Sequence, residues 1–86
     1  AIAQVEGTHD AFFPHVYDIR TGSTMTLHLK GHGSVEVLAD GKSIGTATVD
    51  TADFADASVS LGNLAGEHDI TLRMTGAIII DWFTLK

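Results

Sequence analysis

The sequence contains no cysteine and few basic residues, with five Lys and Arg against eleven Asp and Glu. Without thiols there is neither a disulfide nor thiolate chemistry, so burial of apolar side chains, helped at most by a bound ion, has to stabilise the fold. The basic residues do not cluster and the net charge is −6, which argues against a nucleic-acid partner. No apolar run approaches the ~20 residues of a membrane span and no signal sequence is visible, so we expect no membrane partner.

Apolar residues make up 44% of the chain and alternate with polar ones along several short segments. In residues 68–74, for example, Ile70, Leu72 and Met74 fall on one side. This period of two is what a half-buried strand requires, and no segment shows a convincing helical period. The alternation and the intervening turn signals predict eight strands, at residues 2–6, 15–19, 24–30, 35–37, 44–49, 57–61, 68–74 and 78–85.

Short strands separated by turn signals are typical of an all-β antiparallel β-sandwich, or jelly roll. We therefore expect one such domain over residues 1–86, with a loop at residues 8–14 and tight turns at residues 31–33, 39–42 and 75–76. Residues 78–85 are almost entirely apolar and should lie centrally in a sheet. The side chains expected between the two sheets are Leu27, Val35, Val37, Ile70, Leu72, Ile80 and Trp82.

Four segments occur in an order that resembles a known family: residues 35–41 (VEVLADG), 44–49 (IGTATV), 66–72 (GEHDITL) and 80–83 (IDWF). They resemble the second half of family 6 carbohydrate-binding modules and of their relatives in families 35 and 36. The opening residues 4–6 (QVE) are similar to the first strand of that family, which carries acids two residues apart. The resemblance covers nearly the whole chain, although the chain is shorter than typical members.

The resemblance implies a non-catalytic domain that binds a polysaccharide or oligosaccharide through an aromatic platform and nearby polar groups. Two binding groups of the family are missing, because Thr51 or Asp53 stands where a stacking Trp is expected and Ile79 replaces an Asn. The remaining candidates for carbohydrate binding are Phe12, Phe13, His15 and Asp53. The two Phe rings could instead fill the core or contact a neighbouring domain.

The resemblance also implies a structural Ca²⁺ between the first and last strands. Its side-chain ligands would be Gln4, Glu6 and Asp81, joined by carbonyl oxygens from the turn near Arg20. Calcium prefers hard oxygen ligands of this kind. The alternative is that Gln4 and Glu6 form a solvated strand face and that Asp81 is paired with Arg20 or Arg73.

The sequence argues against a zinc site and against catalysis. His28 and His32 are four residues apart, but they flank a strand end and not a helix face. Acids in turns are usually solvated, and no Ser occupies a nucleophile elbow. The resemblance to family 6 modules implies a non-enzymatic, secreted glycan-binding domain of a polysaccharide-degrading enzyme, a glycoside hydrolase. The alternative is a structural accessory domain that contacts its neighbouring domains and has lost the sugar site.

Overall fold

The structure, a computed structural model, describes residues 2–3 and 7–86. In these residues the fold is all β and antiparallel, and no helix is long and apolar enough to cross a membrane. The strands are β1 (Ile2–Ala3), β2 (Thr8–Ile19), β3 (Thr24–Ala39), β4 (Lys42–Ser60) and β5 (Gly66–Leu85). Their order is β1-β5-β3-β4, and β2 pairs with the first half of β5, whereas β1 pairs with the second half.

The long strands are bent, and this makes the sheet a sandwich. A straight strand of the 20 residues of β5 would extend ~66 Å. The longest dimension of the domain is only 33 Å. Because β3, β4 and β5 pair along their whole lengths, the sheet folds over, and one half of each strand faces the other.

The two central strands bend at glycines: Gly33 pairs with Gly76, and Gly31 lies two residues earlier in β3. Gly31 and Gly76 have φ angles of 123° and 99°, in the region that favours glycine. A Cβ on Gly31 would overlap the carbonyl oxygen of Ala77, and a Cβ on Gly76 would overlap that of His32. Glycine at these positions therefore permits both the backbone conformation and the close approach of β3 to β5.

Both halves of the bent sheet supply one hydrophobic core. Its members on the two central strands are Met25, Leu27, Leu29, Val35, Val37 and Ala39 from β3, and Ile70, Leu72, Met74, Ile78 and Ile80 from β5. The residue numbers are all odd on β3 and all even on β5. The same side of each strand therefore faces the core before and after the bend. The predicted burial of Leu27, Val35, Val37, Ile70, Leu72 and Ile80 is confirmed.

The predicted number of strands is not confirmed. Residues 24–30 and 35–37 are two parts of β3, and residues 68–74 and 78–85 are two parts of β5. The turns predicted at residues 31–33 and 75–76 are bends inside these strands, whereas the turn at residues 40–41 is a true hairpin turn. The loop predicted at residues 8–14 was wrong as well, because the residues from Thr8 onward pair with β5 as part of β2.

The prediction that Trp82 is a core residue was also wrong, since its exposed fraction is 45%. Leu29 pairs with Ile80 and His28 with Trp82, so β5 contains one extra residue, Asp81, at this point. Such a β-bulge shifts the side-chain alternation by one residue. After the bulge Phe83 and Leu85 pack against the core, and Trp82 turns to the outer surface.

Candidate functional site

The two phenylalanines proposed from the sequence lie on opposite sides of β2. Phe12 pairs with Thr71 and is 59% exposed. Phe13 is half-buried and packs edge-to-face on Phe83, with ring centroids 5.1 Å apart and planes 73° apart. Phe13 therefore contributes to the core, whereas Phe12 is available to a ligand.

The structure places His15 beside acids at the start of β5. Its backbone N–H donates to Asp69 Oδ1 at 3.0 Å, and its Nδ1 lies 2.6 Å from Glu67 Oε2. His15 has a φ of 55°, and the register of β2 shifts on both sides of Val16, so this part of the strand is irregular. His15 is thus near Phe13 in the chain, but its ring is engaged by Glu67.

Asp53 lies in another part of the molecule. It is exposed on β4, in the bulge between the pairs Leu29–Ala55 and Gly31–Thr51. Across the sheet, this bulge lies level with Ile79 of β5. Phe13 pairs with Ile70, which is nine residues earlier in β5. The structure therefore does not bring Asp53 together with the residues proposed on β2.

A cleft of about 290 Å³ opens at the bend of the sheet. It is lined by Lys30, Gly31, His32, Thr51, Ala52, Ala77 and Ile79. The cleft joins two segments that the sequence placed at the sugar site, around Thr51 and Ile79, but it contains neither Phe12 nor Phe13. The polar residues of the cleft are Lys30, His32 and Thr51, and His32 Nδ1 lies 2.6 Å from Asp50 Oδ1.

Next to this cleft, three rings form a stack that we call the aromatic strip: Trp82 on β5, His28 on β3 and Phe54 on β4. The Trp82 and His28 centroids are 4.7 Å apart with planes 8° from parallel, and those of His28 and Phe54 are 5.2 Å apart at 12°. Trp82 is the direct partner of His28 on β5, so strand register sets that contact. The partner of His28 on β4 is Asp56, and Phe54 reaches the His28 ring from two residues earlier in β4. Trp82 and Phe54 remain 45% and 40% exposed.

Polar groups border the aromatic strip. His28 Nδ1 lies 2.8 Å from Asp56 Oδ1. Lys30 Nζ lies 4.9 Å from the centroid of the Phe54 ring, within the range of a cation–π contact. Lys30 also lines the cleft at the bend, so the strip and the cleft form one continuous surface. Exposed rings beside an acid, a base and a histidine provide the apolar contacts and hydrogen bonds that a sugar ring requires.

The overall fold of the chain is similar to that of solved structures. A search of solved structures finds CsCBM6-3 from Clostridium stercorarium in complex with cellobiose, with a TM-score of 0.85, 20% identity, and coverage of 98% of this chain and 71% of that chain. The chain has the fold of family 6 carbohydrate-binding modules.

Other structures with the family 6 fold agree with this result. A family 6 module from Clostridium cellulolyticum in complex with xylose has a TM-score of 0.84 and 21% identity, covering 98% of this chain and 76% of that chain. A third, a family 6 module whose binding sub-sites were dissected by crystallography and calorimetry, has a TM-score of 0.85 and 17% identity, with 98% and 71% covered. No protein-family model and no curated protein sequence matches the chain.

The calcium ligands inferred from the family 6 resemblance are only partly described. Gln4 and Glu6 lie outside the described residues, and Asp81 is exposed at the bulge of β5. Among the residues that the structure does describe, no three His, Asp or Glu side chains are grouped so as to hold a metal. The calcium site stays a prediction.

Arg73 has acidic partners other than Asp81. Its Nε and Nη2 donate to the two carboxylate oxygens of Asp10 at 2.9 and 3.1 Å, and its Nη1 lies 3.8 Å from Glu36 Oε1. The hydrogen bonds from Arg73 lower the pKa of Asp10. An ion pair between Arg73 and Asp81, one alternative to the metal site, is therefore absent from the described contacts.

Sequence reasoning missed the aromatic strip for two reasons. The alternation of residues 24–30 placed His28 on the outer side, but nothing in that segment identifies its neighbours across the sheet. Phe54 lies in a polar stretch, and the apolar residues around Trp82 indicate a core position for that ring. A usable signal is the pair His28–Asp56, because antiparallel pairing of residues 24–30 with a strand that begins one residue before the predicted 57–61 brings those two residues together.

Proposed function

We propose that this domain is a non-catalytic glycan-binding module and that the aromatic strip, with the adjoining cleft, is its binding surface. The observation that carries the proposal is the exposure of Trp82 and Phe54 on one outer face of a domain with the family 6 fold. Large aromatic side chains are normally mostly buried, and their exposure next to a polar cleft is typical of a ligand-binding surface.

The chemistry of this surface suits a sugar chain. A pyranose ring offers a face of C–H groups that packs on an aromatic ring, and its hydroxyls bond to carboxylates, imidazoles and ammonium groups. Trp82 and Phe54 supply the rings, while Asp56, Lys30 and His32 supply the polar partners. Because Ile79 provides no hydrogen bond and no aromatic residue lines the cleft, binding should be weak, with a Kd on the order of 0.1–1 mM.

Calorimetric titration with cello- and xylo-oligosaccharides tests this proposal. We expect Trp82→Ala to abolish measurable binding. The matched control is Phe12→Ala, which removes an exposed ring on β2, in the part of the sheet that lies beyond the bend from the strip.

The two variants also separate this site from the one inferred from the sequence. If Phe12→Ala abolishes binding and Trp82→Ala does not, the contact lies with Phe12, His15 and their neighbours. If neither variant binds less than the unchanged protein, both sites are wrong. If no soluble oligosaccharide and no polysaccharide in an affinity gel binds, glycan binding itself is wrong.

A structural accessory role is the second candidate function. Two observations favour it: Ile79 lines the cleft where the family has an Asn, and Phe13 is engaged by Phe83. Such a domain would use its exposed rings against a neighbouring domain. Failure of every glycan to bind, together with retention of the fold, would favour this role.

The wider setting follows from the resemblance. We expect the domain to belong to a secreted glycoside hydrolase, to have no catalytic activity of its own, and to bind a structural Ca²⁺. Gln4, Glu6 and Asp81 would hold the ion, which would connect the first strand to the last and stabilise the folded state.

A further inference from the structure

A second groove, separate from the aromatic strip, lies between the β3–β4 hairpin and the loop that follows β4. Its volume is about 540 Å³, in the range of small-molecule sites. It is lined by Ala39, Asp40, Lys42, Ser43, Ile44, Leu61, Gly62, Asn63 and Leu64. None of these residues belongs to the strip or to the cleft at the bend.

His68 connects the two walls of this groove. Its Nδ1 lies 2.6 Å from Asp40 Oδ2 on the hairpin, and its Nε2 lies 2.8 Å from the carbonyl oxygen of Ala65 in the loop. Both partners are acceptors, so both nitrogens donate only when the ring is an imidazolium. The hairpin is bonded further, because Asp40 Oδ1 accepts from the backbone N–H of Asp69 at 3.0 Å. The walls are thus held in place before any ligand binds.

Lys42 gives the groove a positively charged group. Both carboxylate oxygens of Asp40 already accept hydrogen bonds, one of them from the cationic form of His68. Lys42, by contrast, has no ion-pair partner among the residues that the structure describes. An acidic group entering the groove would therefore find Lys42 as its partner.

The floor of the groove is aliphatic. Ile44, Leu61 and Leu64 provide the apolar surface, and no aromatic ring lines the site. An aliphatic floor gives a sugar ring no stacking platform, but it can remove the hydrocarbon chain of a ligand from water. Ser43 and Asn63 at the rim can hydrogen-bond to the oxygens of a carboxylate.

We propose that this groove binds a small aliphatic carboxylate, with its hydrocarbon part on Leu61 and Leu64 and its carboxylate at Lys42. Two sources offer this chemistry: a free short-chain acid, and the C-terminal residue of a peptide with an aliphatic side chain. The proposal does not depend on glycan binding.

Amide chemical shifts from two-dimensional NMR test the proposal, with hexanoate as the first probe. We expect hexanoate to shift the amides of Lys42, Ser43 and Asn63 and to bind more tightly than hexan-1-ol or acetate. Lys42→Gln should weaken hexanoate about two- to five-fold, the change expected from one exposed ion pair, and leave hexan-1-ol unchanged. Lys86→Gln, a lysine elsewhere on the surface, is the matched control and should change neither.

Comparison of hexanoate with N-acetyl-leucinate distinguishes the two sources. Tighter binding of N-acetyl-leucinate favours a peptide C-terminus, and tighter binding of hexanoate favours a free acid. Equal binding of hexan-1-ol and hexanoate, or an unchanged affinity in Lys42→Gln, would overturn the proposal. So would shifts from acetate as large as those from hexanoate, since the aliphatic floor would then play no part. Trp82→Ala should leave hexanoate binding intact, so failure here and failure of glycan binding can be told apart.

Discussion

Trp82 stacks on His28 across two neighbouring strands, with ring centroids 4.7 Å apart and planes 8° from parallel. The contact exists because Asp81 is an extra residue in β5, which directs Trp82 outward to the position opposite His28. A single inserted residue thus converts the largest side chain of the sequence from a core residue into a surface ring. The proposed glycan-binding surface depends on that bulge.

The exposure of Trp82 limits its contribution to stability. We expect Trp82→Ala to lower the free energy of unfolding by about 1–2 kcal/mol, since only part of the ring is removed from water. Leu72→Ala, at a fully buried position, should cost about 2–5 kcal/mol. Urea denaturation of both variants measures the difference. A loss for Trp82→Ala as large as that for Leu72→Ala would show that the ring is a core residue after all.

Deleting Asp81 should be tolerated. The deletion restores regular pairing of Ile80 with Leu29 and of Trp82 with His28, and it leaves each side chain on its present face. We expect a loss of about 1–2 kcal/mol, measured with chelator present so that a metal does not contribute. Deletion of Thr71, which lies in a regular part of β5, moves the following residues to the wrong face and should unfold the domain. If both deletions unfold it equally, the bulge has been placed incorrectly.

The bend of the sheet should be sensitive to side chains at its glycines. Gly31→Ala combines a positive φ with an overlap between the new Cβ and the Ala77 carbonyl, so we expect a loss of about 2–5 kcal/mol. Gly22→Ala is the matched control, because Gly22 also has a positive φ, of 85°, but a Cβ there would meet no atom within 4 Å. That variant should cost about 1–2 kcal/mol. Equal losses, measured by urea denaturation, would mean that β3 and β5 are not in close contact at the bend.

The buried side of the alternating segments could be predicted from the sequence, whereas the positions of the bend and the bulge could not. In residues 68–74 the burial of Ile70 and Leu72 follows from the period of two, which depends only on local geometry. Gly31 and Gly33 fit a hairpin turn as well as a bend, and the choice depends on pairing with Gly76, more than forty residues away. The bulge at Asp81 and the neighbours of His28 depend in the same way on pairing between distant segments. The outer-surface site was therefore missed while most of the core was found.

Stability should depend on pH through His68 and Asp40. The hydrogen bond with Asp40, followed by that with the Ala65 carbonyl, raises the pKa of His68 above 6.5. The hydrogen bond from His68, followed by that from the Asp69 N–H, lowers the pKa of Asp40 below 3.8. A raised histidine pKa stabilises the fold below pH 6.5 and loses this effect as pH rises through the folded value, whereas a lowered aspartate pKa stabilises above pH 3.8.

The two effects overlap between these pH values, so the melting temperature of His68→Ala should fall furthest below that of the unchanged protein near pH 5. The difference should shrink by pH 8.5, and thermal melts across this range measure it. His32→Ala removes a more exposed pair with Asp50 and should change the melting temperature little at any pH. A difference for His68→Ala that grows with pH would contradict the assignment of the imidazolium.

Calcium should raise the melting temperature if the ion binds as the sequence predicts. An ion held by Gln4, Glu6 and Asp81 binds the folded state only, so it stabilises by ~2.7 kcal/mol at a hundred times its Kd. The measurement is a thermal melt with excess Ca²⁺ and one with chelator. Asp81→Asn removes one charged ligand and should reduce the difference, whereas Asp56→Asn, beside the aromatic strip, should leave it unchanged. Because Asp81 is exposed at a bulge, Asp81→Asn should not lower stability in chelator, which separates loss of the ion from loss of packing. Identical melts with calcium and with chelator would show that no metal stabilises this fold.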